Sequence, residues 1–389
     1  MAEAATAPWS ERRIVAGGKD HELPWWVRGR PRHDRMRDFT TLPSGGACGT
    51  KAAEDGGHVA VARTPKRAWA SGLFRCSSLW ACPTCAPRIR AERGGEIAQA
   101  IEAHVRGGGS LLLLLTLTVP HRQGDSLAWL IRGLFDAYRR LLQHRGFREV
   151  FRRALGCEAR GAFASIRVVE VTYSDTAGFH PHLHALLFLS EQPSRSGFDE
   201  AEVWLRKHWP AAAVAEGLRR PSGSIGSDLR RASGSKLARY VTKLTKEVRG
   251  LAAEVAHGDM KRRSVWDLLD RANSGDANAR KLWREYEQAT KDARMMWWSP
   301  GLCERLGVRR GGSAALAAQR EGDPAEEPEV VAYFEDEAWR EVSRRRLVPH
   351  LLIEAHRGGY LAVAAFLDRH GLPPPMVGDP FAPYVAALP

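Results

Sequence analysis

The spacing of apolar residues changes along the chain in a way that separates strands from helices. Ser110 to Val119 is an apolar run broken only by threonine and closed by Pro120, which reads as a buried strand. Asp125 then stands as an N-cap before Leu127, Leu130, Ile131, Leu134 and Tyr138, whose spacing predicts an amphipathic helix to about His144. Phe163 to Tyr173 alternates and is rich in β-branched residues, Ser174 to Phe179 is a turn cluster, and Pro181 to Leu189 predicts a second strand. Phe198–Gly217, Gly234–Arg249 and much of 259–298 carry helical patterns. A strand, a helix, a hairpin and further helices predict an α+β architecture, with helices packed on a mainly antiparallel sheet.

The flanks read differently. Residues 1–45 mix Pro, Gly and Arg without period and predict a basic irregular arm, and residues 46–95 hold four of the six cysteines. The patterned block covers 105–250, and 251–320 reads as an accessory helical region. From Glu321 to Glu341 nine acidic residues face one Arg, the pattern of a solvated linker. Leu347–His370 follows as an Ala/Leu-rich helical segment interrupted by Gly358 and Gly359, a candidate partner-docking or homodimer element within 321–389.

Composition narrows the function. The 389 residues carry 58 Lys+Arg against 45 Asp+Glu, a net charge of +13. Only 10 of those 58 are Lys, leaving 48 Arg, and Arg grips phosphate in a bidentate way, so nucleic acid is the natural partner class. A GC-rich genome would by itself explain Arg replacing Lys, though not the sign of the charge. The apolar run Leu111–Val119 is far short of the roughly 20 residues of a membrane helix. Met1–Arg13 lacks the apolar core of a signal peptide, so the expected location is cytoplasmic, with no membrane partner.

Cys82 and Cys85 form a CxxC, with Cys76 six residues before and Cys48 further upstream. Four thiolates at this spacing can close a tetrahedral Zn²⁺ site with no open position, hence a structural one. His58 is a substitute ligand if Cys48 is a bystander, and a redox CxxC or four buried thiols are the competing roles. Cys157 and Cys303 read as core thiols.

The sharpest chemistry lies in Phe179-His180-Pro181-His182-Leu183-His184. On a strand, His182 and His184 point to one face, and Glu170, a carboxylate inside an apolar run on the preceding strand, is the obvious third ligand. Two imidazoles and a carboxylate leave coordination positions open, as a catalytic site requires. His180 reads as a supporting or DNA-contact residue. Further on, Lys236, Tyr240 and Lys243 form a helical stripe beside the core-facing Leu237, Val241 and Leu244. A phenol between two ammonium groups can meet a phosphate, though an amphipathic helix with its Tyr at the core edge accounts equally for the segment.

Taken together these residues resemble the replication initiators (Rep) of rolling-circle plasmids, within the HUH endonuclease superfamily, and most of all those of actinobacterial plasmids. Leu113–His121 is similar to the first motif of that family, His180–Phe188 to its metal motif with Glu170 as the upstream acid, and Tyr240-Val241-Thr242-Lys243 to its nucleophile motif. Cys76–Arg90 is similar to the metal-binding part of these initiators, and Trp297–Leu302 to a segment after the nuclease core. The resemblance implies an HUH sandwich and Mg²⁺ or Mn²⁺ at Glu170, His182 and His184. It also implies attack by Tyr240, aided by Lys243, on one strand of origin DNA, single-stranded or cruciform, to give a 5′-phosphotyrosine and a 3′-OH primer. Host helicase and DNA polymerase are the implied partners. Lys236, Arg239, Lys246, Arg230, Arg231 and His180 are the expected DNA contacts, since 11 basic residues face three acids between Arg206 and Arg249. Where some relatives carry a Glu four residues before the nucleophile to activate water, this chain has Lys236, and only the more distant Glu247 could substitute. A rolling-circle transposase or mobilisation relaxase would share this chemistry. A zinc-dependent DNA-binding regulator without activity is the reading of a different class.

Overall fold

The computed structural model describes residues 23–24, 27, 29–109, 111–155, 164–189, 193–232, 264–312 and 327–376. Lys236, Arg239, Tyr240, Lys243, Lys246 and Glu247 lie outside the described residues, as do the helix expected over 234–249 and Cys157.

In chain order the elements begin with α1 (Gly29–Met36), α2 (Pro43–Ala47), β1 (His58–Thr64), β2 (Arg67–Ser71) and α3 (Cys85–Arg106). The centre follows as β3 (Leu111–Thr118), α4 (Leu127–Gln143), α5 (Arg145–Leu155), β4 (Ser165–Ser174), β5 (Gly178–Leu189), α6 (Arg195–Ala215) and β6 (Ser227–Ala232). The remainder is α7 (Val265–Asn273), α8 (Ala277–Thr290), β7 (Met296–Trp298), α9 (Leu302–Leu306), β8 (Glu329–Glu335), α10 (Asp336–Arg344) and α11 (Val348–Arg369). The architecture is α+β with antiparallel sheets. The chain divides into two compact units, one of Met1–Cys76, Asp270–Ala277 and Ala318–Pro389, the other of Ser77–Leu269 and Asn278–Ala317.

The first unit holds a three-stranded antiparallel sheet in the order β2-β1-β8. The acidic stretch read as a linker therefore contributes a strand. Its apolar core Val331, Ala332 and Phe334 packs with Val59 and Val61 against Trp339 of α10 and Leu351, Val363 and Leu367 of α11. The glycine interruption of the last helix is real: Gly359 has φ +62, and the Arg63 guanidinium sits 3.2–3.3 Å from where a Cβ would stand. Arg63 donates to the Ala355 carbonyl at 3.3 Å, using a backbone acceptor that the kink exposes. The arm is not wholly irregular either. Helix α1 buries Arg30, His33 and Asp34, with Arg30 Nε 3.2 Å from Asp34. Burial pushes the Asp34 carboxyl up, but the charge of Arg30 and the neighbouring His33 and Arg37 outweigh it and hold it below the usual range.

The second unit is built on a five-stranded antiparallel sheet in the order β6-β3-β5-β4-β7. The expected strands over 110–119 and 163–189 are present, and the turn between the latter starts β5 early, at Gly178 with φ +79. A Cβ on Gly178 would come within 2.9 Å of the Arg122 carbonyl, so the turn demands glycine. Met296–Trp298, expected to prolong a helix, is instead the edge strand β7. Ser126, not Asp125, caps α4, its hydroxyl accepting from the Trp129 amide. Asp125 is taken up elsewhere: it accepts Arg219 Nη2 at 2.8 Å and the Arg122 amide at 2.7 Å. These bonds, the Arg219 bond foremost, hold its carboxyl below the usual range.

Alternation gives the sheet two faces. One face buries Leu113, Leu115, Leu117, Val169, Leu183, Ala185 and Leu187, and on this side Arg167 lies over the Tyr138 ring of α4. On the other face α3 and α9 cover one end, where Ile97, Ala100 and Leu302 pack with Leu112, Ile166, Leu186 and Phe188. Trp209 of α6 is fully buried and donates its indole N–H to the Thr118 carbonyl at 2.9 Å, fastening the far end of β3. Trp209→Ala is expected to lower unfolding free energy by about 3–5 kcal/mol, read from the urea midpoint at unchanged slope.

Candidate functional site

The register across β3, β5 and β4 assembles the site. His182 stands opposite Glu170 on β4 and Thr118 on β3, and His184 opposite Val168 and Thr116. Glu170, His180, His182, His184, Thr116 and Thr118 therefore share one face, beyond the end that α3 covers. His182 Nε2 lies 2.6 Å and His184 Nε2 3.4 Å from the same oxygen, Glu170 Oε2. One donor atom from each of the three residues lies within 4.8 Å of the other two. Their side chains keep 27%, 10% and 15% exposure for Glu170, His182 and His184, enough to leave the cluster open on one side.

Burial pushes the Glu170 carboxyl up, yet its hydrogen bonds to His182 and His184 and their charge win and hold it well below the usual carboxylate range. The carboxylate is thus ionised and already drawn toward both imidazoles. Thr116 Oγ1 is 3.1 Å from His184 Nδ1. If that nitrogen carries the proton, Nε2 presents its lone pair toward Glu170, the tautomer a metal ligand needs. His182 Nδ1 is buried and has no hydrogen-bond partner among the described residues. The donor set fits a divalent cation: two imidazole nitrogens and one carboxylate oxygen converge on one point and leave the open side for oxygen ligands. Thr116→Val is expected to weaken Mn²⁺ binding about tenfold by titration calorimetry, because the His184 ring loses its orienting partner.

His180 continues the row of rings. It stacks on His121 with centroids 4.4 Å apart at 16°, and lies 5.0 Å from His182. Thr116, Thr118 and His121 had a visible signal, the alternating threonines before Pro120, but their role follows only from the register. Of the basic residues expected to meet DNA, Arg230 and Arg231 are placed on β6. Arg230 is exposed, pairs with Asp228 at 2.6 Å, and shares the histidine face through the pairing of β6 with β3. Arg231 donates to the Pro193 carbonyl at 3.2 Å and covers the Phe198 ring.

Cys48 and Cys76 belong to the first unit and Cys82 and Cys85 to the second. Cys85 opens α3, and its amide donates to Cys82 Sγ at 3.3 Å, the kind of support a thiolate ligand receives. His58 sits on β1. Cys303 is half-buried rather than a core thiol, and burial pushes its thiol up, away from reactivity.

Residues 74–209 match a family described as "Replication protein". Over these residues, about a third of its length, the chain is similar to that family. The matched segment takes in Glu170, His182, His184, Cys76, Cys82 and Cys85 and ends before Tyr240. The chain is 28% identical over 345 residues to a "Protein rep" of Streptomyces lividans, covering 71% of this chain and 74% of that one. A "Protein rep" of Lentilactobacillus hilgardii is 27% identical over 109 residues, 28% of this chain and 31% of its own. A protein of Streptomyces cyanogenus named "Neomycin resistance protein" is 28% identical over 205 residues, covering 44% of this chain and 47% of that one. The resemblance to Rep initiators drawn from the motifs is thus borne out. No solved structure matches the chain.

Proposed function

We propose that this chain is a plasmid rolling-circle initiator that nicks one strand of origin DNA and later rejoins it. The observation that carries the reading is the convergence of Glu170, His182 and His184 on one open sheet face inside the matched segment. A divalent cation at these residues supplies Lewis acidity and charge neutralisation at a phosphate. The two imidazoles favour Mn²⁺ over Mg²⁺, which prefers oxygen alone.

The nucleophile is Tyr240. It comes eight residues after Ala232, the end of β6. The order of the motifs, with Tyr240 following the histidine strand, supports the assignment. The Tyr240 oxygen attacks the phosphorus and the bond to the 3′ oxygen breaks. The phenol proton passes to solvent and the departing oxygen takes one up, leaving a 5′-phosphotyrosine and a 3′-OH. Lys243 favours the phenolate by its charge. In the reverse transfer a 3′-OH attacks the phosphotyrosine and restores the strand without ATP. The exposed Arg230, with Lys236, Arg239 and Lys246, lines the strand path, and host helicase and polymerase extend the primer. The test is a labelled single-stranded origin oligonucleotide incubated with Mn²⁺ or Mg²⁺. A covalent protein–DNA adduct is expected, and its absence under both metals would sink the reading.

The four cysteines hold one structural Zn²⁺ in this proposal. Purified protein is expected to contain one zinc per chain, and Cys82→Ser none, measured by elemental analysis and by thiol-triggered release to a chromogenic chelator.

A further inference from the structure

The loop Pro221–Gly226, which leads into β6, carries a feature the nicking scheme leaves unused. Ile225 is 77% exposed at its tip. Lone exposed aliphatic residues are ordinary on protein surfaces, and exposure by itself says little. Here the backbone beneath it is fixed. The Gly226 amide donates to the Ser222 carbonyl at 2.7 Å, and the Ser224 amide to Ser222 Oγ at 3.3 Å. A Cβ on Gly226 would stand 2.5 Å from Pro221 Cβ and 2.7 Å from the Ser222 carbonyl, so the close turn depends on glycine.

The loop is also tied to the site. Thr118 donates its amide to the Gly226 carbonyl at 2.9 Å and its hydroxyl to the Ile225 carbonyl at 3.2 Å. Thr118 is the residue directly opposite His182. A rigid turn thus presents a β-branched apolar side chain one strand away from the metal-ligating histidines. Exposed Arg220 precedes it in the chain, and exposed Arg230 follows on the histidine face. An apolar point between cations matches a nucleotide, whose base face is apolar and whose phosphate is anionic. A base face is free only where the strand is unpaired or unstacked.

We propose that Ile225 is a base-contact residue, packing on the face of an unstacked base beside the phosphate held at Glu170, His182 and His184. The inference rests on the nicking reading and names how the same site selects single-stranded DNA. The test uses Tyr240→Phe protein, to prevent cutting, with a fluorescein-labelled mixed-sequence 30-nucleotide strand and the same strand annealed to its complement. In that background Ile225→Ser is expected to weaken single-strand binding about five- to tenfold by anisotropy, the order of one lost base contact. Ile225→Phe should restore it. Duplex affinity and the salt slope should not move, since the contact carries no charge. Single-strand affinity within twofold of the parent, or an equal loss on duplex, would overturn the proposal. Failure of the parent protein to bind the single strand would overturn it as well. If the Tyr240 protein binds the strand normally yet forms no adduct with Mn²⁺, the nicking reading falls, and Ile225 is judged on the binding series alone.

Discussion

Tyr240→Phe should eliminate the covalent adduct, by a factor of about 10⁴ or more in rate, while single-strand affinity should stay within twofold. The substitution keeps the ring and removes only the phenol oxygen that the proposed scheme requires, so binding should be left alone. The label position adds a second readout. If Tyr240 holds the 5′-phosphate, an oligonucleotide labelled at its 3′ end transfers the label to protein, while a 5′-labelled one yields a shorter free strand. Adduct formation by the Phe variant would remove Tyr240 from the scheme, and label retained from the 5′ end would reverse its polarity. Of the described tyrosines, Tyr138, Tyr173 and Tyr286 are buried. Burial pushes the Tyr138 phenol up to about 12 and raises that of Tyr286, so none of the three is placed to substitute as nucleophile.

His182→Ala should reduce adduct formation at least a hundredfold, because the charge neutralisation a divalent cation lends to phosphoryl transfer is worth several kcal/mol. Calorimetry should show Mn²⁺ binding lost with the activity, and zinc content unchanged at one per chain. The variant also removes the 2.6 Å bond that helps hold the Glu170 carboxyl down, so that carboxyl should rise toward its ordinary range. Full activity in His182→Ala, or Mn²⁺ binding that survives it, would place the cation elsewhere.

The chemistry of this protein was easier to read from its sequence than its domain plan. His182, His184, Glu170 and the four cysteines are rare residue types in short or alternating patterns, and local spacing alone brings most of them together. The alternating threonines and His121 were visible in the sequence, but their nearness to His184 and His180 depends on how β3 pairs with β5. The strand Glu329–Glu335 was hidden for another reason: its five apolar residues are flanked by acids that dominate any composition window. Met296–Trp298 is too short to show a period, and its tryptophans prolonged a helical pattern. Helix α1 is held by a buried Arg30–Asp34 pair rather than an apolar stripe, which left its residues looking like loop. Tyr240 and its lysines remain a sequence argument, resting on motif order.

The pairing of β1 with β8 has a consequence for synthesis. Thr64 ends one strand and Glu329 begins the other, so 265 positions separate them. At about 5–20 residues per second a ribosome needs roughly 15–50 s to deliver the second after the first. All five strands of the sheet that carries the histidines, the last ending at Trp298, leave the ribosome earlier. A chain interrupted before β8 would carry the histidine cluster complete but leave β1 with an open edge. Such an edge pairs readily with other chains, so a prematurely terminated product should aggregate rather than persist as a separate fragment.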